Sequence, residues 1–349
     1  MAQASLEDVL EPDLPIVDPH HHLWDRPRGR PAETTPVRHG FENVGRLAPR
    51  YLLDELMADI GGGHNVRATV FVECRAFYRQ DGPEELRCVG ETEFVNGVAA
   101  MGASGVYGEA RPCAGIVGHA DLDRGAAAQE PLEALLAAGG GRFRGVRHAA
   151  SWDADPAVLG PLSRGRPGLY GDPKFREGFA RLAPLGLSFD AWLLEPQLED
   201  LIDLARTFEE TSIVLDHVGT PLGIGAYQGK REERFSAWRA SMKELAGSPN
   251  VFVKLGGLAM PFAGFSSFMA SPPASSETLA SEWKPYVEAS IEAFGTRRCM
   301  FESNFPVDLC SASYRTLWNA FKRLAQGASA EEKVDLFCRT ASRFYRLPA

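Results

Sequence analysis

Short apolar runs recur along the chain, and nearly all stop at polar or charged residues. They cover 16–18, 66–73, 114–119, 143–148, 187–192, 212–217, 251–255 and 298–302. Runs this short, rich in Val, Ile and Phe and bounded by Gly, Pro and Asn, predict eight strands. Between them, apolar residues return at helical spacing over 50–60, 91–102, 126–139, 174–184, 197–209, 234–247 and 279–294. Leu198, Leu201, Ile202, Leu204 and Ala205, for example, share one helix face. Strands that alternate with helices pair in parallel through right-handed crossovers. Eight such units favour a closed α/β architecture, a (β/α)8 TIM barrel with long strand-to-helix loops, as one domain over 1–349. No GxGxxG follows the first strand, which argues against an open dinucleotide-binding sheet.

The loops are uneven. Those after strands are long (25–49, 151–172, 219–232, 256–277), and those before strands, such as 184–186 and 247–250, are short. Post-strand loops form the C-terminal face of a barrel, where active sites sit. The stretch 261–276, rich in Phe, Gly, Ser and Pro, is expected to be a lid or a pocket wall.

Chemistry concentrates at the strand ends. The first strand runs into Asp18-Pro19-His20-His21-His22, and strict alternation places Asp18, His20 and His22 on one face with His21 opposite. Two imidazoles one residue apart at a strand end can chelate one cation. Further along come Glu73 and Arg75, Arg147 and His148, Asp190, His217, Lys254, then Glu302 and Asn304. A charge beside a barrel core is costly unless paired, hydrogen-bonded or metal-bound. Charges at this many strand ends point to a site. Trp24, Trp152, Tyr170, Trp192 and Phe262 are candidates to wall a substrate ring.

Composition narrows the class. With 44% hydrophobic and 24% charged residues the chain is of ordinary globular type, and its net charge of −9 with no basic run argues against nucleic acid as a partner. Local arginines still permit a small anionic substrate. Six cysteines without CxxC spacing read as buried reduced thiols. The acidic start lacks a signal-peptide core and no apolar run suggests a membrane span, so a cytoplasmic protein is expected, and a homo-oligomer is compatible with the sequence.

The Asp-x-His-x-His opening, the Leu215-Asp216-His217-Val218-Gly219 segment and the closing Phe301-Glu302-Ser303-Asn304-Phe305-Pro306-Val307-Asp308 resemble the amidohydrolase superfamily. The branch resembled is the amidohydrolase-related group of sugar lactonases, 2-pyrone-4,6-dicarboxylate lactonase, 4-sulfomuconolactone hydrolase and some decarboxylases. The resemblance runs from Pro15 to about Arg346. It implies a barrel with His20 and His22 ending strand one and His217 ending strand six. The chain departs from the pattern in three places. Asp190 stands where many members carry histidine on strand five, and Asn304 replaces the usual strand-eight aspartate. No lysine ends strand four, so a bridged two-metal centre is not expected. An amide accepts no proton at neutral pH.

These residues lead to the following expectations. At most one divalent ion, zinc favoured, or none, is held by His20 and His22 with a carboxylate from Asp190, Glu302 or Glu73. Asp190, His217, Glu302 and Asn304 form the catalytic group, with Glu302 the candidate to replace the missing aspartate and Glu73 the other candidate. Glu73, Arg75, Arg147, His148, Lys254 and Trp24 bind substrate, the cations holding an anionic group. The expected reaction is opening of a lactone or related cyclic ester of a small organic acid. The alternatives are a metal-dependent non-oxidative decarboxylase and an inactive ligand-binding barrel.

Overall fold

All eight apolar runs form strands, and these lie parallel in chain order. They are β1 (Pro15–His21), β2 (Asn65–Val72), β3 (Arg111–Gly118), β4 (Phe143–Arg147), β5 (Ser188–Ala191), β6 (Ile213–Leu215), β7 (Val251–Leu255) and β8 (Cys299–Phe301). The structure, a computed structural model, describes residues 7–26, 36–162 and 165–348. Parts of the long loops after β1 (27–35) and β4 (163–164) lie outside these, as does the start of the chain (1–6).

The ring closes just past the end of β8. There His22 N–H donates to Phe305 O at 2.7 Å, and Asn304 N–H to His20 O at 2.9 Å. Closure therefore falls on the residues at the barrel mouth and brings the strand-one histidines beside Asn304. The fold is a (β/α)8 TIM barrel.

Helices fill the predicted intervals with shifted ends. The Leu198–Thr207 helix buries the five apolar residues read from its spacing. The stretch expected over 174–184 is helical only over Pro173–Phe179. Asp172 caps it by accepting from Lys174 N and Phe175 N, and Pro173 occupies the first turn, where its missing N–H costs nothing. A two-residue antiparallel ribbon, Trp24–Asp25 with Arg50–Tyr51, precedes the Leu53–Ile60 helix where helix was expected from residue 50.

One expectation about β1 is corrected. Strict alternation fails because the register slips between Asp18 and His21. Val17 packs with the barrel-interior residues Val70, Val72, Val117, Val214 and Met300. Asp18 then turns outward, accepting from Ser303 Oγ at 2.6 Å and from Tyr314 OH at 3.0 Å on a surrounding helix. A bulge inverts the parity of a strand, so His20 and His22 face inward even though Asp18 does not. His21 lies opposite them, its Nε2 2.8 Å from Thr69 Oγ1.

The interior stack is closed by a segment the periodicity did not single out. Phe344 and Tyr345, at the end of the Thr340–Phe344 helix, join those valines. The Phe344 ring lies 5.0 Å from that of Phe252 on β7. The larger apolar cluster lies between strands and helices and includes Phe71, Ile116, Phe189 and Phe301. All six cysteines are free thiols, four of them buried. No helix among the described residues is long and apolar enough to cross a membrane.

Truncating a buried phenylalanine removes transfer energy and leaves a cavity. Phe344→Ala is therefore expected to lower unfolding stability by about 3–5 kcal/mol. Urea unfolding measures it, and a loss below about 1 kcal/mol would show that the C-terminal helix does not seal the barrel.

Candidate active site

Above the valine layer the barrel interior turns polar at the next inward-facing positions. Lys254 from β7 is fully buried; its Nζ lies 2.7 Å from Asp190 Oδ2 and 2.9 Å from Asp216 Oδ1. Asp190 also accepts from Tyr345 OH at 2.7 Å. Burial, opposed by Lys254, pushes the Asp190 carboxyl up to about 6. Burial would also raise Asp216, but Lys254 and His20 hold it well below the usual range. On the other flank, Arg147 donates to Glu73 Oε1 at 2.9 Å and to Asp216 Oδ2 at 3.4 Å.

Glu302 stands between two histidines. Its Oε2 lies 2.7 Å from His20 Nδ1, and its Oε1 lies 2.7 Å from His217 Nδ1 and accepts from His217 N. Burial would raise its pKa, yet His217 and His20 keep it far below that of a free glutamate. His217 has φ 56°, in the left-handed region. Its ring is seated against Gly257, where any side chain would collide with it, and a side chain at Gly256 would strike Glu302. Non-glycine residues in this region are uncommon and gather at functional sites. Asn304 (φ 52°) and Arg75 (φ 60°) share the feature.

Over this network opens a cavity of about 840 Å³. His22, His217, Asn304, Glu73 and Arg147 line its inner part, and Trp24, Arg75, His119, His148 and Trp192 line its walls. Trp24 is fixed by a hydrogen bond from Nε1 to Ala48 O. Arg75 forms no hydrogen bond or ion pair among the described residues. The 261–276 stretch packs behind the wall: Phe262 is buried beside Phe41, and the preceding Met260 reaches the cavity.

The expected site residues thus separate into two layers. His20, Asp190, Lys254 and Glu302 lie in the closed network and do not line the cavity. Lys254 and Arg147 are committed to carboxylates, so of the three expected anion-binding cations Arg75 alone is uncommitted. Trp152 borders a separate shallow pocket, and Tyr170 is packed among phenylalanines. Two residues were missed. Asp216 and His119 follow the interior residues Val214 and Val117 by two positions, so alternation pointed to both; at β6 the more conspicuous neighbour, His217, drew the reading.

His20, Asp216 and His217 offer ligand atoms within 4.8 Å of one another and form a candidate divalent-metal site. Two observations suit a cation here. The ion-paired groups comprise four carboxylates (Glu73, Asp190, Asp216, Glu302) against two permanent cations (Arg147, Lys254), leaving two negative charges before His217 is counted. The 2.7 and 2.9 Å contacts at Glu302 Oε2 and Asp216 Oδ1 are close but not aligned as hydrogen bonds, so lone pairs remain open. Second, His22 Nδ1 donates to Val72 O at 2.8 Å, which leaves Nε2 as an acceptor. Burial, with His20 and Arg147 nearby, keeps the His22 ring neutral. Asn304 Nδ2 donates to Asp308, so Asn304 Oδ1 faces that same His22 Nε2 at 3.3 Å. His20 Nε2 lies 3.2 Å from the same nitrogen, and a cation would suit this cluster of polar atoms.

Comparison with known proteins agrees with this geometry. An uncharacterized protein of Sinorhizobium fredii, y4mH, is 33% identical over 340 residues, covering 96% of this chain and 99% of that protein. An L-fucono-1,5-lactonase of Burkholderia multivorans is 29% identical over 333 residues, covering 95% and 96%. Two solved structures of an amidohydrolase from Burkholderia multivorans, one with bound HEPES and one with bound zinc, superpose with TM-scores of 0.70 and 0.69 at 27% identity, covering 95% of this chain and 99% of theirs. The amidohydrolase family itself matches residues 17–347. With that span of sequence and a barrel whose mouth carries a candidate metal site, the chain belongs to the amidohydrolase family.

Proposed function

We propose that this protein hydrolyses a lactone or related cyclic ester of a small organic acid, with His217 as the proton carrier. The observation that carries the reading is the His217–Glu302 pair. The ring borders the cavity while its Nδ1 is anchored on a buried carboxylate, so Nε2 is the atom left for substrate. The 29% identical L-fucono-1,5-lactonase supports a lactone as substrate.

Ring opening needs an activated water, a polarised carbonyl and a proton for the departing oxygen. His217 Nε2 removes the proton from the attacking water. It returns that proton to the ring oxygen as the acyl C–O bond breaks. Glu302 orients the imidazole and stabilises its charged form, the role a buried carboxylate plays behind a catalytic histidine. Asn304 takes no proton and serves to position. When bound, a divalent ion, zinc favoured, would supply Lewis acidity and lower the pKa of water. We assign it to His20 and His22 because that leaves His217 free. Arg75 holds an anionic group of the substrate.

Glu302→Gln is expected to lower kcat by roughly a hundredfold to ten-thousandfold with KM little changed. Near-normal turnover would remove the pair from the mechanism. Elemental analysis of the purified chain is expected to find at most one divalent ion, retained by His217→Gln and lost by His22→Gln. The reverse pattern would place the ion on His20, Asp216 and His217 and end the assignment of His217 as proton carrier. Arg75→Gln is expected to raise KM roughly tenfold to a hundredfold for a carboxylated lactone, with a smaller effect on its methyl ester. Equal losses on both would refute the anion role. The assay that tests the reading as a whole is acid release from a lactone panel with carbon dioxide monitored. Carbon dioxide without ring opening would make the protein a decarboxylase, and no turnover would make it a binding barrel.

A further inference from the structure

His119 and His148 stand side by side on the cavity wall, at the ends of β3 and β4, with ring centroids 5.3 Å apart at 74°. The backbone fixes opposite tautomers for them. His119 Nδ1 lies 3.0 Å from Arg147 O, a group that only accepts, so Nδ1 carries the proton and Nε2 is a lone pair. Leu122 N–H donates to His148 Nδ1 at 3.1 Å, so that nitrogen is the acceptor and the proton sits on Nε2. Burial lowers both pKa values and keeps the rings neutral, against Glu73 at His119 and helped by His119 and Arg75 at His148. Neither Nε2 has a hydrogen-bond partner among the described residues, so the wall presents one acceptor and one donor.

The same arrangement disfavours other ligands. Asp121, Asp123 and His148 lie close enough to suggest an ion. The His148 lone pair is already used by Leu122 N–H, and Asp123 is paired with Arg166 at 2.9 Å. An anion calls for two donors and an apolar ring for neither. A donor beside an acceptor, both neutral, matches hydroxyl groups, each of which gives one hydrogen bond and takes others.

We propose that His119 and His148 are specificity-determining residues that read a vicinal diol on the substrate, one hydroxyl donating to His119 Nε2 and its neighbour accepting from His148 Nε2–H. The inference rests on the lactone reading only for the identity of the ring; diol recognition is a binding property and is tested as one. It narrows the substrate class to polyhydroxylated ring compounds.

The test measures affinity by calorimetry for a panel of aldono-1,5-lactams, which are not cleaved as lactones are, against 2-piperidone, their counterpart without hydroxyls. The wild type is expected to prefer at least one hydroxylated lactam by about tenfold to a hundredfold, the value of two neutral hydrogen bonds. His119→Asn and His148→Asn keep the amide atom that replaces Nδ1, and so the backbone bond, but lose the atom facing the cavity. Each is expected to reduce that preference severalfold to tenfold, and His119→Gln, which restores a cavity acceptor, to recover part of it. A wild type without preference, or Asn variants that retain it, would overturn the proposal. If an Asn variant does not fold, singly deoxygenated lactams on the wild type decide: two adjacent hydroxyls must each matter. Lactam preference without hydrolysis of any lactone would leave this proposal standing and end the lactone reading.

Discussion

A lysine with no exposed surface lies at the centre of this barrel, and the site depends on how it is neutralised. Lys254 bridges Asp190 and Asp216 and approaches His20 Nδ1 at 3.1 Å. A buried ammonium without partners would be driven to its neutral form. Here burial lowers its affinity for the proton, but Asp190, Asp216 and Glu302 raise it further, so the charge stays. One cation thereby fixes carboxylates from two strands. Through Asp190 and Tyr345 it also connects the mouth of the barrel with the helix that closes its lower end. Breaking such a pair from one side leaves an uncompensated charge in a dry interior and typically costs about 3–5 kcal/mol.

The closed network determines what the open cavity can do. The carboxylates Asp190, Asp216 and Glu302 are held by Lys254 and by two histidines and do not line the cavity. What reaches the cavity is one step removed: a histidine held by Glu302, an amide held by Asp308 and an imidazole held by Val72 O. Each has one polar atom tied down and another presented. Such preorganisation spares the reorganisation that water would require when charge develops in a transition state. Under the proposed assignment of proton transfer to His217, strand eight need supply only an acceptor, which Asn304 provides.

Much of this was legible in the sequence. Strand runs ending in charge, separated by helical spacing, led to the barrel, and β7 falls on the residues read for it. Other features were not legible, for identifiable reasons. The bulge in β1 depends on pairing with β2, which alternation within one strand does not encode, so Asp18 was placed with the histidines. Lys254 and Arg147 look like substrate-binding cations in one dimension; only the fold shows carboxylates within 3 Å of both. The helix ending in Phe344 seals the barrel through contacts with β7, distant in the chain. The tautomers of His119 and His148 follow from backbone groups at Arg147 and Leu122 that no motif records.

The proposed reaction is attack of water on an acyl carbon in this cavity. Its most direct test is the hydrolysis of a lactone substrate in water enriched in oxygen-18, with the product analysed by mass spectrometry. Acyl attack predicts one labelled oxygen per turnover, in the carboxylate and not in the hydroxyl released from the ring. Label in the hydroxyl, or a product that has lost its carboxyl carbon as carbon dioxide, would contradict it.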